Sequence, residues 1–113
     1  MSDETADARI GKNEAIFREA NDRLEDVNRG KAAVTDGLLH VLCECADRDC
    51  TEQLAVPTSE YERVRSDATH FLVAPGHEDP SLEVVIAERG RYLVVRKEGD
   101  APERIARATD PRA

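Results

Sequence analysis

The sequence contains no tryptophan and only four aromatic residues among its 113 residues. Its hydrophobic fraction of 40% is sufficient for one domain, but the core of that domain will be small. Domains of this size commonly gain stability from a metal ion or from contact with another chain. We therefore expect a source of stability other than apolar packing alone.

Long apolar segments and catalytic signatures are also absent from the sequence. No apolar run approaches the ~18 residues that a membrane helix requires. There is no glycine-rich phosphate loop, no dinucleotide-binding fingerprint and no Gly-x-Ser-x-Gly or His-Glu-x-x-His motif. The zinc-deaminase pattern fails because His77-Glu78 follows the cysteines and lacks the intervening residue. The sequence thus predicts neither a membrane partner nor an enzyme.

The net charge of −8 disfavours binding to nucleic acid, because a polyanion is attracted to a basic surface. The charge is uneven along the chain: residues 31–80 carry ten acids and four bases, whereas residues 81–113 carry six acids and seven bases. The candidate cationic face is the last predicted hairpin, with Arg89, Arg91, Arg96 and Lys97. Nucleic-acid binding through this face is the weakest functional hypothesis.

The cysteine count bears on the cellular compartment. The chain has three cysteines, an odd number that cannot be fully paired within it, and its first residues are acidic and contain no apolar signal segment. We therefore expect a cytoplasmic protein. In a reducing compartment, clustered thiols are more often metal ligands or redox groups than structural disulfides.

All three cysteines, Cys43, Cys45 and Cys50, lie within eight residues. A tight turn can bring three thiolates around one ion, and zinc is the commonest occupant of such a site, with iron as an alternative. The alternative interpretation is that the cysteines are small buried hydrophobic residues. Against this interpretation, the loop also contains Glu44, Asp47, Arg48 and Asp49, which make it polar.

A fourth ligand must come from outside this loop, and the chain has three histidines. His77 is preferred because it follows Pro75-Gly76, where the backbone turns and the ring can reach another loop. Strand alternation places His40 opposite Cys43 unless a bulge intervenes, and His70 begins an apolar run. Water or an aspartate of the loop is the remaining alternative. The predicted metal site is Cys43, Cys45, Cys50 and His77.

Apolar residues recur at seven-residue spacing in Ile10, Phe17 and Leu24 and predict a helix from Gly11 to Arg29. A narrow apolar seam of Phe17, Leu24 and Val27 is compatible with a short coiled coil to a second chain. Packing of one helix on a small sheet is the alternative, which Ile16 favours by widening the stripe. The outer face carries acid–base pairs at i, i+4 and is predicted to be solvated: Glu14–Arg18, Glu19–Arg23 and Glu25–Arg29.

The remaining pattern predicts two hairpins and a short helix. The first hairpin joins residues 38–43 to 51–56 and carries the thiols at its tip, and the second joins 82–88 to 91–97 through Gly90. A short helix capped by Ser59 would bury Tyr61 and Val64, and residues 70–73 are extended. The predicted organisation is a disordered acidic head over 1–8, one domain over 9–98 and a mobile tail over 99–113.

These elements predict the α+β class: an N-terminal helix, a four-stranded, mainly antiparallel sheet of two hairpins, a short middle helix and a stabilising metal. The order of the parts, above all the Leu-Cys-Glu-Cys-Ala-Asp-Arg-Asp-Cys loop and Pro-Gly-His-Glu, resembles a group of short actinobacterial proteins of unassigned function. The resemblance covers about residues 9–97. It implies that the three cysteines and His77 form one site, and it implies no activity.

Two functional hypotheses follow from the sequence. The first is a non-enzymatic cytoplasmic adaptor or regulatory domain with a structural zinc, which binds a protein partner or a second copy through its N-terminal helix. The second is a thiol redox sensor in which oxidation of Cys45 or Cys50 expels the metal.

Overall fold

The structure is a computed structural model that describes residues 6–28, 38–45, 47 and 49–112, with the side chains of the first helix described for residues 13–25. Three helices and five strands occur in this part of the chain: α1 (Ala6–Asn28), β1 (Leu38–Leu42), β2 (Gln53–Pro57), α2 (Thr58–Arg65), β3 (His70–Val73), β4 (Glu83–Glu88), β5 (Leu93–Lys97) and α3 (Asp100–Ala108). The predicted α+β class is confirmed. None of the described helices is long and apolar enough to cross a membrane.

The strands form two small antiparallel sheets, one of two strands and one of three. The prediction of a single four-stranded sheet is therefore wrong in the number of sheets and strands. β1 pairs with β2, and β5 lies between β3 and β4. Both predicted hairpins are present, and Gly90 adopts the positive φ of +82° that the second connection requires. The strand in addition to the four predicted ones is β3, the segment 70–73 that the sequence predicts only as extended. It pairs with β5.

The residues that follow β1 join the two sheets. The backbone N–H of Glu44 donates to the Leu72 carbonyl at 2.8 Å, and the Leu72 N–H donates to the Glu44 carboxylate at 3.0 Å. The Glu44 side chain is fully buried. Because Glu44 lies between Cys43 and Cys45, the junction of the sheets and the start of the cysteine loop are one segment.

The apolar core is formed by the strands, α2 and α3, and no described side chain of α1 belongs to it. Tyr61 and Val64 of α2 are buried, as predicted. The predicted cap at Ser59 is wrong, because α2 begins at Thr58 directly after Pro57 and no side-chain hydrogen bond caps it. The core residues Cys43 and Cys45 extend the apolar cluster to the cysteine loop.

The helix α1 packs on the domain through polar side chains. Its buried positions are spaced by four, three and four residues, so they share one side of the helix: Glu14, Arg18, Asn21 and Glu25. The prediction that the face of Glu14 and Arg18 is solvated is therefore wrong. Ile16, in contrast, is 64% exposed.

The interior supplies this polar face with partners distant in sequence. The Lys97 ammonium lies 2.5 Å from the Glu14 carboxylate and 2.6 Å from that of Glu83. Arg18 donates to the carbonyls of Ala68 at 2.6 Å and Ala106 at 2.7 Å, and its guanidinium lies 4.4 Å from the centre of the Phe71 ring. These contacts offset part of the desolvation cost of Glu14 and Arg18, so a helix with a charged face can dock inward.

Residues 99–112 form part of the fold, in contrast to the predicted mobile tail. Ala106 of α3 lies in the core. Arg112 donates to Asp22 and Glu25 of α1 at 3.1 Å and to Glu62 of α2 at 2.6 Å. Arg112, one of the charges that suggest mobility, is therefore paired with acids of two helices. Of the predicted acidic head, residues 6–8 belong to α1, and residues 1–5 lie outside the described part.

The buried Glu14 makes stability depend on pH. Burial raises the pKa of Glu14 from 4.5 to about 7, and Lys97 opposes this shift only in part. Because the pKa of Glu14 is higher in the folded than in the unfolded protein, the contribution of this group to stability is fully present below pH 4.5. That contribution is lost as the pH rises through 7. Between about pH 5.5 and about pH 8.5, the free energy of unfolding of the wild type should fall by roughly 2 kcal/mol more than that of Glu14→Gln. Denaturant titrations at a series of pH values measure both. Equal pH slopes for the two proteins would contradict this expectation.

Candidate metal centre

The strand β1 directs Cys43 toward the core and His40 away from it. Leu39, Val41 and Cys43 are buried and His40 is exposed, which is the alternation of a strand with one buried face. The β1–β2 register is continuous, so no bulge reverses this pattern. His70 lies elsewhere, with its Nε2 3.5 Å from a carboxylate oxygen of Asp67. Among the described residues, neither His40 nor His70 belongs to the group of candidate ligands.

A tight turn returns the loop to Cys50. The backbone N–H of Cys43 donates to the Glu52 carbonyl at 3.0 Å and extends the β1–β2 ladder by one bond. The N–H of Cys50 donates to the Asp47 carbonyl at 3.0 Å, and the Asp49 N–H donates to the Asp47 carboxylate at 2.9 Å. Asp47 and Asp49 are exposed and lie outside the cluster of candidate ligands. Arg48, the base of this loop, lies outside the described residues.

The segment from Ala74 to His77 forms a β-turn with proline second and glycine third. The His77 N–H donates to the Ala74 carbonyl at 2.9 Å, and Gly76 has φ +88°, as the third position of a type II turn requires. The Ala74 N–H donates to the Cys43 sulfur at 3.2 Å. The peptide groups of Ala74 therefore position two candidate ligands, and a backbone donor of this kind stabilises a metal-bound thiolate.

These elements bring together the four residues selected from the sequence. The sulfurs of Cys43, Cys45 and Cys50 and a ring nitrogen of His77 all lie within 4.8 Å of one another. His77 Nδ1 is 3.5 Å from both the Cys43 and the Cys50 sulfur. Tetrahedral zinc, with bonds of ~2.3 Å to sulfur and ~2.0 Å to nitrogen, separates its ligand atoms by about 3.5–3.8 Å. The cluster has the composition and nearly the size of a site that could hold a metal ion.

Burial governs the ionisation of Cys43 and Cys45. It raises the pKa of Cys43, an effect that the neighbouring Cys45 and Cys50 reinforce and the Ala74 N–H partly opposes. Burial likewise raises the pKa of Cys45. Three adjacent thiolates therefore require a cation, and binding of a metal ion would release their protons.

Glu44, one of the residues that make the loop polar in the sequence, does not face solvent. Its carboxylate instead accepts hydrogen bonds from Arg65 and from Asn21, the latter at 2.7 Å. Glu44 therefore contacts α1 and α2, whereas Cys43 and Cys45 belong to the candidate metal cluster. Neither this role nor the backbone donor at Ala74 had a signal in the sequence.

One side of the cluster faces an open cavity of about 430 Å³. Cys50 and His77 are half-buried, whereas Cys43 and Cys45 are buried. The cavity at the half-buried His77 therefore gives an ion a route into the site. The cavity is lined by Cys45, Asp47 and residues 76–80.

Comparisons of the sequence with protein-family models, with curated proteins and with solved structures found no match. The interpretation of the cluster therefore depends on its own geometry and chemistry. The resemblance to short actinobacterial proteins stays a prediction.

Proposed function

We propose that the protein is a zinc-stabilised adaptor domain without catalytic activity. Cys43, Cys45, Cys50 and His77 together would hold one zinc ion. The observation that carries this proposal is the convergence of four donor atoms within 4.8 Å of one another. Three sulfurs and one imidazole are a common ligand set of structural zinc sites, which is why zinc is proposed ahead of iron.

A site of this kind is closed. Four protein ligands complete the tetrahedral coordination of zinc and leave no position for a substrate or an activated water. The ligands also come from both sheets, because Cys43 follows β1 and His77 follows β3. The bound ion would thus hold the first hairpin against the loop before β4, which is a structural role.

The function of such a domain would lie in its surfaces. The candidate cationic hairpin gives nucleic-acid binding little support, because Lys97 is buried between two glutamates. Arg89 pairs with Glu60 at 2.9 Å, and Arg96 pairs with Glu98 at 2.6 Å. A protein partner is therefore the stronger proposal. We place the protein in the cytoplasm, where its three unpaired thiols would stay reduced.

The redox-sensor alternative has one supporting observation, the partial exposure of Cys50. A sensor would release its metal rapidly at low peroxide concentration and recover it on reduction. A structural site with two buried cysteines would release the metal slowly. Rapid release of the metal by peroxide, reversed by a thiol reductant, would therefore contradict the adaptor proposal and support the sensor.

Substitution of the histidines tests the proposed site. We expect about one zinc per chain in the wild type and a loss of zinc affinity of at least ~100-fold in His77→Ala, because one of four bonds is removed. His40→Ala is the matched control, since His40 is exposed on β1 of the same hairpin and should leave the affinity unchanged. Elemental analysis and competition with a chelator measure both quantities.

A rescue variant separates ligation from folding. His77→Cys should retain zinc, because four cysteines also form a tetrahedral site. Zinc bound equally well by His77→Ala and wild type would contradict the ligand assignment. Visible absorbance of the purified wild type would indicate an iron centre, because zinc is colourless.

A further inference from the structure

The helix α1 borders an open groove of about 670 Å³ that is distinct from the metal centre. Ile16 is the most exposed of the large hydrophobic residues in the described part of the chain. An apolar surface of this kind, rimmed by charged residues, is typical of a protein interface. The apolar residues of the groove are Ile16, Ala20, Leu24 and Leu42, and its polar rim is Glu19, Arg23 and Gln53.

We infer that this groove is the interface of a two-fold symmetric dimer in which the α1 helices of two copies pack antiparallel. Ile16, Ala20 and Leu24 are four residues apart and form one row along the helix. A two-fold axis beside Ala20 brings Ile16 of one copy onto Leu24 of the other. The small side chain of Ala20 lets the two helices approach closely at the axis.

The charges at the rim favour a second copy as the occupant. Glu19 and Arg23 flank the apolar row on the same side, one turn apart. In an antiparallel pair with two-fold symmetry, this flank faces the same flank of the other helix. Glu19 of each copy then lies only two residues, or ~3 Å, along the helix axis from Arg23 of the other copy, within reach of the arginine side chain. A partner with charge of one sign would meet one favourable and one unfavourable residue. The rim is therefore complementary to itself.

Glu19 and Arg23 are accessible for this pairing. Their side chains are 55% and 78% exposed, and they contact each other within the helix at 2.8 Å. An exposed pair of this kind contributes little to the stability of the monomer. Exchange of these charges therefore changes association and leaves folding nearly intact.

The dimer is independent of the zinc proposal, because none of the groove residues belongs to the cysteine cluster. Sedimentation equilibrium of the full chain as purified, in ~0.15 M salt, tests it, since the long-range repulsion between two acidic copies is then screened beyond about 8 Å. We expect a dimer in the wild type and a monomer in Ile16→Glu. The matched control is Ile86→Glu in β4, a residue 42% exposed, which should remain dimeric.

Charge exchange gives the sharpest result. Glu19→Arg and Arg23→Glu should each weaken dimerisation at least about tenfold, because like charges then face each other. The double variant, and an equimolar mixture of the two single variants, should both recover dimers. This test holds even if Ile16→Glu fails to fold.

Three results would overturn the inference. The first is a wild type that stays monomeric at several hundred micromolar, which includes the case of a groove filled by the chain itself. The second is a dimer broken by Ile86→Glu and not by Ile16→Glu, which would place the interface on β4. The third is a pair of weakened single variants without recovery in the double variant and the mixture.

Discussion

Cys50→Ser is expected to abolish metal binding and to unfold the first hairpin. Serine removes one of the four proposed ligands, and the remaining three leave the coordination of zinc incomplete. Structural zinc contributes an apparent ~10–16 kcal/mol in small zinc-binding peptides, whereas a whole domain is stable by only about 5–15 kcal/mol. Loss of even part of the metal contribution is therefore enough to melt β1 and β2.

Cys50 is a better position for this test than Cys43 or Cys45. Those two side chains are also part of the apolar core, so their replacement changes packing together with ligation. Cys50 is half-buried, and its replacement by serine mainly changes ligation. The structural effect of the substitution can then be assigned to the metal.

Hydrogen exchange of the amides in β1 and β2 measures this unfolding, and the metal content is determined on the same sample. Protection at Val41 and Val56 should be lost in Cys50→Ser and in wild type treated with a strong chelator. Agreement between these two samples assigns the effect to the metal. An apo wild type with full protection would show that the cysteines act only as buried hydrophobic residues, and the zinc proposal would fail.

The predicted site depended on local signals. Three cysteines within eight residues, the alternation of β1 and the Pro75-Gly76 dipeptide each act over a few residues, and each selects a side chain without knowledge of the tertiary fold. The hairpin through Gly90 is equally local. These parts of the site and of the fold were therefore accessible from the sequence.

The packing of α1 was not accessible in this way. Sequence periodicity shows that Glu14 and Arg18 share a face with other polar residues, which usually means solvent exposure. Their burial depends on Lys97 and on carbonyls of distant segments, and Lys97 lies 83 residues from Glu14. The pairing of β3 with β5 is also non-local. No pattern within α1 or within residues 70–73 encodes these partners.

The second large effect is expected at the ion pair beneath the cysteine loop. Arg65 donates to the Glu44 carboxylate, and both side chains are at most 1% exposed. Burial lowers the pKa of Arg65 to about 9, so Arg65 remains charged at neutral pH. Arg65→Met retains the apolar stem and removes the charge, which leaves Glu44 buried without its cation. Breaking a buried pair in this way costs about 3–5 kcal/mol.

Glu44 lies between two of the proposed ligands, so the loss should reach the metal centre. An uncompensated carboxylate draws water or a proton to the segment that positions Cys43 and Cys45. We therefore expect Arg65→Met to weaken zinc binding as well as folding. Chelator competition detects the first effect and urea unfolding of the zinc-loaded protein the second.

A double variant distinguishes the ion pair from simple packing. Glu44→Gln in the Arg65→Met background removes the buried charge and keeps an oxygen that can accept the Leu72 N–H, so it should recover at least about 1 kcal/mol. The control is Arg63→Met in the same helix, which pairs with Glu60 while 72% exposed and should cost less than about 1 kcal/mol. Additive losses in the double variant would show that Glu44 and Arg65 act independently. The proposed link between α2 and the cysteine loop would then be wrong.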